Sequence, residues 1–209
     1  LDIDAKLTPL QLADFLPQGG GTLQGTLRVT GARTAPDLAA DLTGSALRFG
    51  DYAAASARID GRLPWRSDAG TLEVSASGVQ AGVALDTVQV SARGAITALR
   101  LQADARGEIG TLALSGEASQ RNGGWQGTLA TLRLAPTTGA SWALQGPAKF
   151  AQTGARITLS DSCFASSGGG SLCASADWPR QGVSVRGERL PLALATPYLP
   201  EQDGGQAFV

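Results

Sequence analysis

Histidine and methionine are both missing from this 209-residue chain. Without histidine, the commonest general base at neutral pH and the commonest metal ligand are gone. Without methionine there is no initiator residue, which points to a processed chain or a piece of a longer one. Aromatics are only 5% of residues. Alanine and glycine supply much of the apolar count, so bulky core-filling side chains are few. No apolar run reaches 18 residues and no stretch reads as a signal peptide, so any membrane anchor is expected outside this stretch. Net charge is −1, with 17% charged residues. Cations and carboxylates are interspersed along the chain, and no nucleic-acid partner is expected.

Enzyme signatures are missing too. A serine nucleophile needs a base, and Lys6 and Lys149 sit in no catalytic motif. No nucleophile elbow, P-loop or dinucleotide fingerprint occurs. Gly19-Gly20-Gly21 lacks the spacing and the following helix that phosphate cradling requires, and reads as a turn into a strand. Neither a metal nor another cofactor is expected. Asp2 with Asp4, and Asp161 with Asp177, could in principle do glycosidase work, but solvated outer-face charges explain them more simply. Trp65, Trp125, Trp142 and Trp178 lie in separate strands. They read as packing residues rather than a sugar platform.

What is present is alternation. Leu1, Ile3, Ala5 and Leu7 face one way and Asp2, Asp4 and Lys6 the other, the mark of a strand with one wet face. Roughly a dozen such segments follow at the 8–12-residue spacing of antiparallel all-β architecture, with Gly31 to Asp37 read as a turn containing Pro36. Segments of helical period and useful length are missing, so a βαβ fold is excluded. A sandwich, a closed barrel and an elongated curled sheet remain open. Thin aliphatic faces rich in Ala and Gly favour the elongated sheet, with the two-sheet sandwich as the alternative.

One unit occurs twice: Leu10 to Gly21, with Phe15-Leu16-Pro17, and Leu192 to Gly205, with Tyr198-Leu199-Pro200. Thr8 can cap and Pro9 can occupy a first helical position. The spacing therefore predicts a short helix over 10–16 that docks on the sheet through Leu12, Phe15 and Leu16. It predicts a module over 1–189 and the start of another over 190–209. Cys163 and Cys173 flank a Ser/Gly-rich loop. A disulfide in an oxidising compartment is the preferred reading, and two buried free thiols the alternative. Their parity conflicts, because Cys163 is in phase with Leu159 while Cys173 is out of phase with Leu172. A bulge near Asp161-Ser162, or an irregular strand end at Ser171, would reconcile them.

Gly21-Thr-Leu-Gln-Gly25-Thr-Leu-Arg-Val-Thr-Gly31, followed by Pro36 and a new strand, resembles the repeats of the TamB family. Trp142 to Pro147, the Cys163 and Cys173 hairpin ending in Trp178, and Leu190-Pro-Leu with Tyr198-Leu-Pro200 resemble the region before that family's C-terminal domain. The resemblance implies an internal, periplasmic segment of an inner-membrane-anchored protein of a Gram-negative bacterium. It implies a long sheet rolled into an open trough (a β-taco), with no catalytic residues. Its implied partners are a TamA-like outer-membrane barrel protein, phospholipid acyl chains and unfolded outer-membrane protein strands. The implied functions are phospholipid transport and the assembly of outer-membrane proteins and autotransporters. The expected lining is Leu23, Leu27, Val29, Leu38, Leu42, Ile59, Leu72, Val74, Leu99, Leu101, Leu112, Leu114, Ile157 and Leu159. A helix over 10–16 would cover that groove. The competing readings are a β-sandwich adhesin or carbohydrate-binding module, in which Trp125, Trp142 and Trp178 converge, and a glycoside-cleaving enzyme.

Overall fold

The computed structural model describes residues 1–67 and 69–190. Fourteen strands account for most of them: β1 (Asp2–Gln11), β2 (Gly19–Ala32), β3 (Ala35–Phe49), β4 (Tyr52–Leu63), β5 (Thr71–Gln80), β6 (Ala84–Ala95) and β7 (Ala98–Gly107), then β8 (Gly110–Arg121), β9 (Gly124–Pro136), β10 (Trp142–Leu144), β11 (Ala148–Thr153), β12 (Arg156–Ser166), β13 (Ser171–Trp178) and β14 (Gly182–Glu188). They form one elongated, curled antiparallel sheet in which sequence neighbours pair in order. The exception is β10 and β11, which lie end to end between β9 and β12. β1 and β14 are its two ends, so the sheet is open. The two-sheet sandwich is not formed among the described residues.

Short turns set this order. Asn122 and Gly123 link β8 to β9 with φ of 52° and 76°, the left-handed pair a type I′ hairpin turn needs. Arg33 and Thr34 link β2 to β3. Pro36, expected in a turn, instead lies in β3 opposite Gly31. A proline near the start of a strand costs little, because few ladder hydrogen bonds need its missing N–H.

The helix expected over 10–16 does not form. β1 runs to Gln11, and a single 3-10 turn covers Leu12–Asp14. Leu10 and Gln11 find ladder partners in Leu23 and Thr22, which a two-turn helix cannot match for stability. Thr8 and Pro9 sit in the strand at a register shift between Leu7 and Leu10. A bulge on an edge strand is where a residue without an N–H is tolerated. The copy at 192–199 lies outside the described residues.

Two trains of irregularity each run across a few adjacent strands. The first passes through Thr8-Pro9, then the shift that sets Gly21 against both Ala46, whose φ is 48°, and Leu47. The second passes through Ala130 in β9, the Gln145-Gly146-Pro147 break between β10 and β11, and Ser160-Asp161 in β12. Bulges bend a strand and increase its local twist, so their alignment on adjacent strands bends the sheet along a line. The second train also resolves the cysteine parity. The shift between Leu159 and Ser162 places Cys163 directly opposite Cys173, and the two form a disulfide.

Candidate functional site

The register sorts side chains into transverse rungs, because directly opposed residues share a face. One rung runs Val29, Leu38, Leu63, then Gly94, Leu99, Ala118, Gly127, Phe150 and Leu159. The next holds Leu27, Ala40, Gly61, Leu72, Ala92, Leu101, Gly116 and Leu129. A third holds Leu42, Ile59, Val74, Val90, Ala103, Leu114 and Leu132. Leu23 and Leu112 belong to a fourth, and Ile157 sits opposite Trp178 at the far side. All fourteen residues expected to line a groove therefore share one face of one sheet.

The face alternates large with small. Ala or Gly sits beside most Leu positions, and a curled sheet needs this because side chains on its inner surface converge. Two close approaches make the point. A Cβ on Gly127 would lie 2.6 Å from the Phe150 ring, and one on Gly44 would lie 2.8 Å from Leu47. Leu63, Ala92 and Leu99 form the buried centre, with Leu72, Ile96 and Leu101 packed against it. Margin loops knit this end together: the Ile96 N–H donates to the Pro64 carbonyl at 2.9 Å, and the Trp65 N–H to Asp37 Oδ1 at 2.7 Å.

No second layer covers the face among the described residues, and no large side chain there is fully buried. Exposure rises across it, from 5% at Leu99 to 50% at Ile157. At the first strand turn Leu12 is half-buried, whereas Phe15 is 67% exposed and Leu16 is 40%.

The opposite face is polar, and several of its carboxylates are paired. Asp4 takes Arg28, Asp177 takes Arg156 at 2.9 Å, and Asp161 takes Arg186 at 2.8 Å. The Arg156 guanidinium, donating to both Asp177 oxygens, holds that carboxyl below the usual range. These carboxylates serve cross-strand ion pairs, as outer-face charges should. Trp125 and Trp178 share a rung but stand three strands apart, about 14 Å at ~4.8 Å per strand. Trp142 lies opposite Leu134, nine residues along β9 from Trp125. The tryptophans do not converge.

The face also has a feature that inspection of the sequence missed. A depression of about 1020 Å³ lies on the polar side and is lined by Arg93, Arg100, Glu117, Arg121 and Lys149 among others. A twisted sheet is saddle-shaped, so each of its faces is hollow along one diagonal. These cations are scattered in sequence, and only the strand register gathers them.

An open, curled antiparallel sheet with one aliphatic and one charged face defines a class: a trough-like sheet protein without a sealed core. The model of the TamB N-terminal domain matches residues 1–204, and the chain belongs to the TamB family. That family comprises non-enzymatic bridging and assembly proteins of the cell envelope. No solved structure matches the chain.

Proposed function

We propose that the aliphatic face conducts phospholipid acyl chains through the periplasm, between the inner and outer membranes, in a protein anchored at the inner membrane. The observation that carries this reading is the continuous run of aliphatic rungs, over which no covering layer lies among the described residues. An acyl chain gains about 0.8 kcal/mol per buried CH₂, so a face of Leu, Val, Ile and Ala can hold lipid without specific contacts. Low specificity also suits movement, since no rung binds much more tightly than the next. Photoreactive residues at Leu101 and Leu72 should crosslink phospholipid in cells, and one at Arg28, on the polar face, should not. Equal adducts from both faces, or none from either, would refute the conduit.

Open edges favour a second reading, in which the sheet receives strands of an outer-membrane protein as it assembles with a TamA-like barrel. Among the described residues β14 has no partner on its outer edge, and Val183 and Val185 are 67% and 61% exposed. Such an edge is a template for strand addition. Proline at Val185, which removes one ladder donor, should lower client crosslinking at β14 and leave lipid adducts at Leu101 unchanged.

A further inference from the structure

The rung at the centre of the polar face runs Arg62, Thr71, Arg93, Arg100, Glu117, Thr128 and Lys149. Arg93 and Arg100 stand directly opposite one another. Like charges in directly opposed positions destabilise a strand pair, so this juxtaposition works against the fold. Each has a carboxylate neighbour that offsets part of it, but neither pair is hydrogen-bonded. Glu73 lies 3.8 Å from Arg93 and Glu117 lies 4.0 Å from Arg100, both beyond hydrogen-bond distance. Contrast Arg28, Arg156 and Arg186, each of which donates a hydrogen bond to its own aspartate. The depression over this rung holds four cations, Arg93, Arg100, Arg121 and Lys149, against the single carboxylate Glu117. The chain as a whole carries a net charge of −1.

We propose that this depression binds a phosphate-bearing ligand, with Arg93 and Arg100 as a paired clamp and Lys149, three strands away, adding to the positive potential of the depression. Two guanidinium forks about 5 Å apart at their strands fit a tetrahedral anion that each can grip with two N–H donors. The anion would also cancel the repulsion between them. Phosphate can come from a lipid headgroup or from a soluble phosphate compound. The site lies on the face opposite Leu101, so it stands or falls separately from the conduit.

The test uses the full chain with two probes, inorganic pyrophosphate and vesicles of phosphatidylglycerol, with phosphatidylcholine vesicles, whose headgroup is zwitterionic with no net charge, as the reference. Saturable binding of either probe is expected, weakening as salt rises. R93Q/R100Q should weaken it at least about tenfold, as expected for losing two charge-assisted contacts. Arg28→Gln should leave it unchanged. Pyrophosphate binding alone would identify a soluble ligand, and vesicle binding alone a headgroup, each supporting the site. R93Q/R100Q removes the repulsion together with the two long ion pairs to Glu73 and Glu117, so it should melt close to the parent. Bound probe should raise the parent's melting temperature but not the variant's. Absence of binding to both probes, or equal affinity in R93Q/R100Q, would overturn the proposal.

Discussion

β6–β8 and β9–β13 are built from the same kind of residue and yet hold together differently. In β6–β8 the register is unbroken, from Thr87 opposite Arg106 to Ala95 opposite Ala98, and from Leu99 opposite Ala118 to Gly107 opposite Gly110. Every ladder position is used, and alternation alone fixes which side chain faces which way. In β9–β13 the ladder is interrupted three times, and substitutes appear at the interruptions. The Gln145 N–H donates to the Cys163 carbonyl at 2.8 Å, the Lys149 N–H to Ser160 Oγ at 2.9 Å, and Ser162 Oγ to the Ser160 carbonyl at 2.7 Å. Ser162 is 3% exposed, so its hydroxyl needs that partner. The disulfide closes the same region. A regular field is held by its pattern, whereas an irregular seam needs specific bonds.

Removing the disulfide should separate the two regions most. Cys163→Ser with Cys173→Ser, or reduction, is expected to cost on the order of 2–3 kcal/mol for so short a loop. Hydrogen exchange should rise in β12 and β13 and stay low in β6–β8. Equal loss of protection in both would show that the seam is not a separate unit.

Crowding the inner face comes next. Gly127→Leu must displace the Phe150 ring and also shift the Glu117 carbonyl, which a Cβ would approach to 2.2 Å, so its cost should reach or exceed the roughly 1–3 kcal/mol of side-chain overpacking. Ala103→Val, in the regular field, should cost much less, because its rung neighbours Val90 and Leu114 are only partly buried. Denaturant midpoints would compare the two. Comparable costs would mean that the curl is no tighter at the seam.

Acid should probe the ion pairs, with the smallest effect. The Asp177 carboxyl is lowered chiefly by hydrogen bonding from Arg156. Its contribution is therefore complete above the ordinary carboxylate range and is lost as pH falls through the lowered value. Arg156→Gln should remove that step from the acid limb of the melting curve. An unchanged limb would show that the pair adds nothing to stability.

Much of this protein was legible because period-2 alternation is a local property. Leu99, Leu101, Ala103 and Ala105 must share a face wherever their neighbours lie, and so the aliphatic set was readable without a structure. The cysteine conflict was readable in the same way, since two residues out of phase can meet only through a bulge, which the shift at Ser160-Asp161 provides. The helix was misread because Thr8-Pro9 is a local start signal, whereas the pairing of Leu10 with Leu23 is a tertiary fact. Local propensity gives way when a ladder partner is on offer.

Sequence by itself determined the strands, their two-sidedness and the small residues that let the sheet curl, because each depends on neighbours one or two positions away. Only the tertiary structure decided that the sheet, over the described residues, stays single and open, and that Arg62, Arg93, Arg100 and Lys149 lie along one rung. Strand register adds residues far apart in the chain into one line, and no reading of spacing along the chain performs that sum.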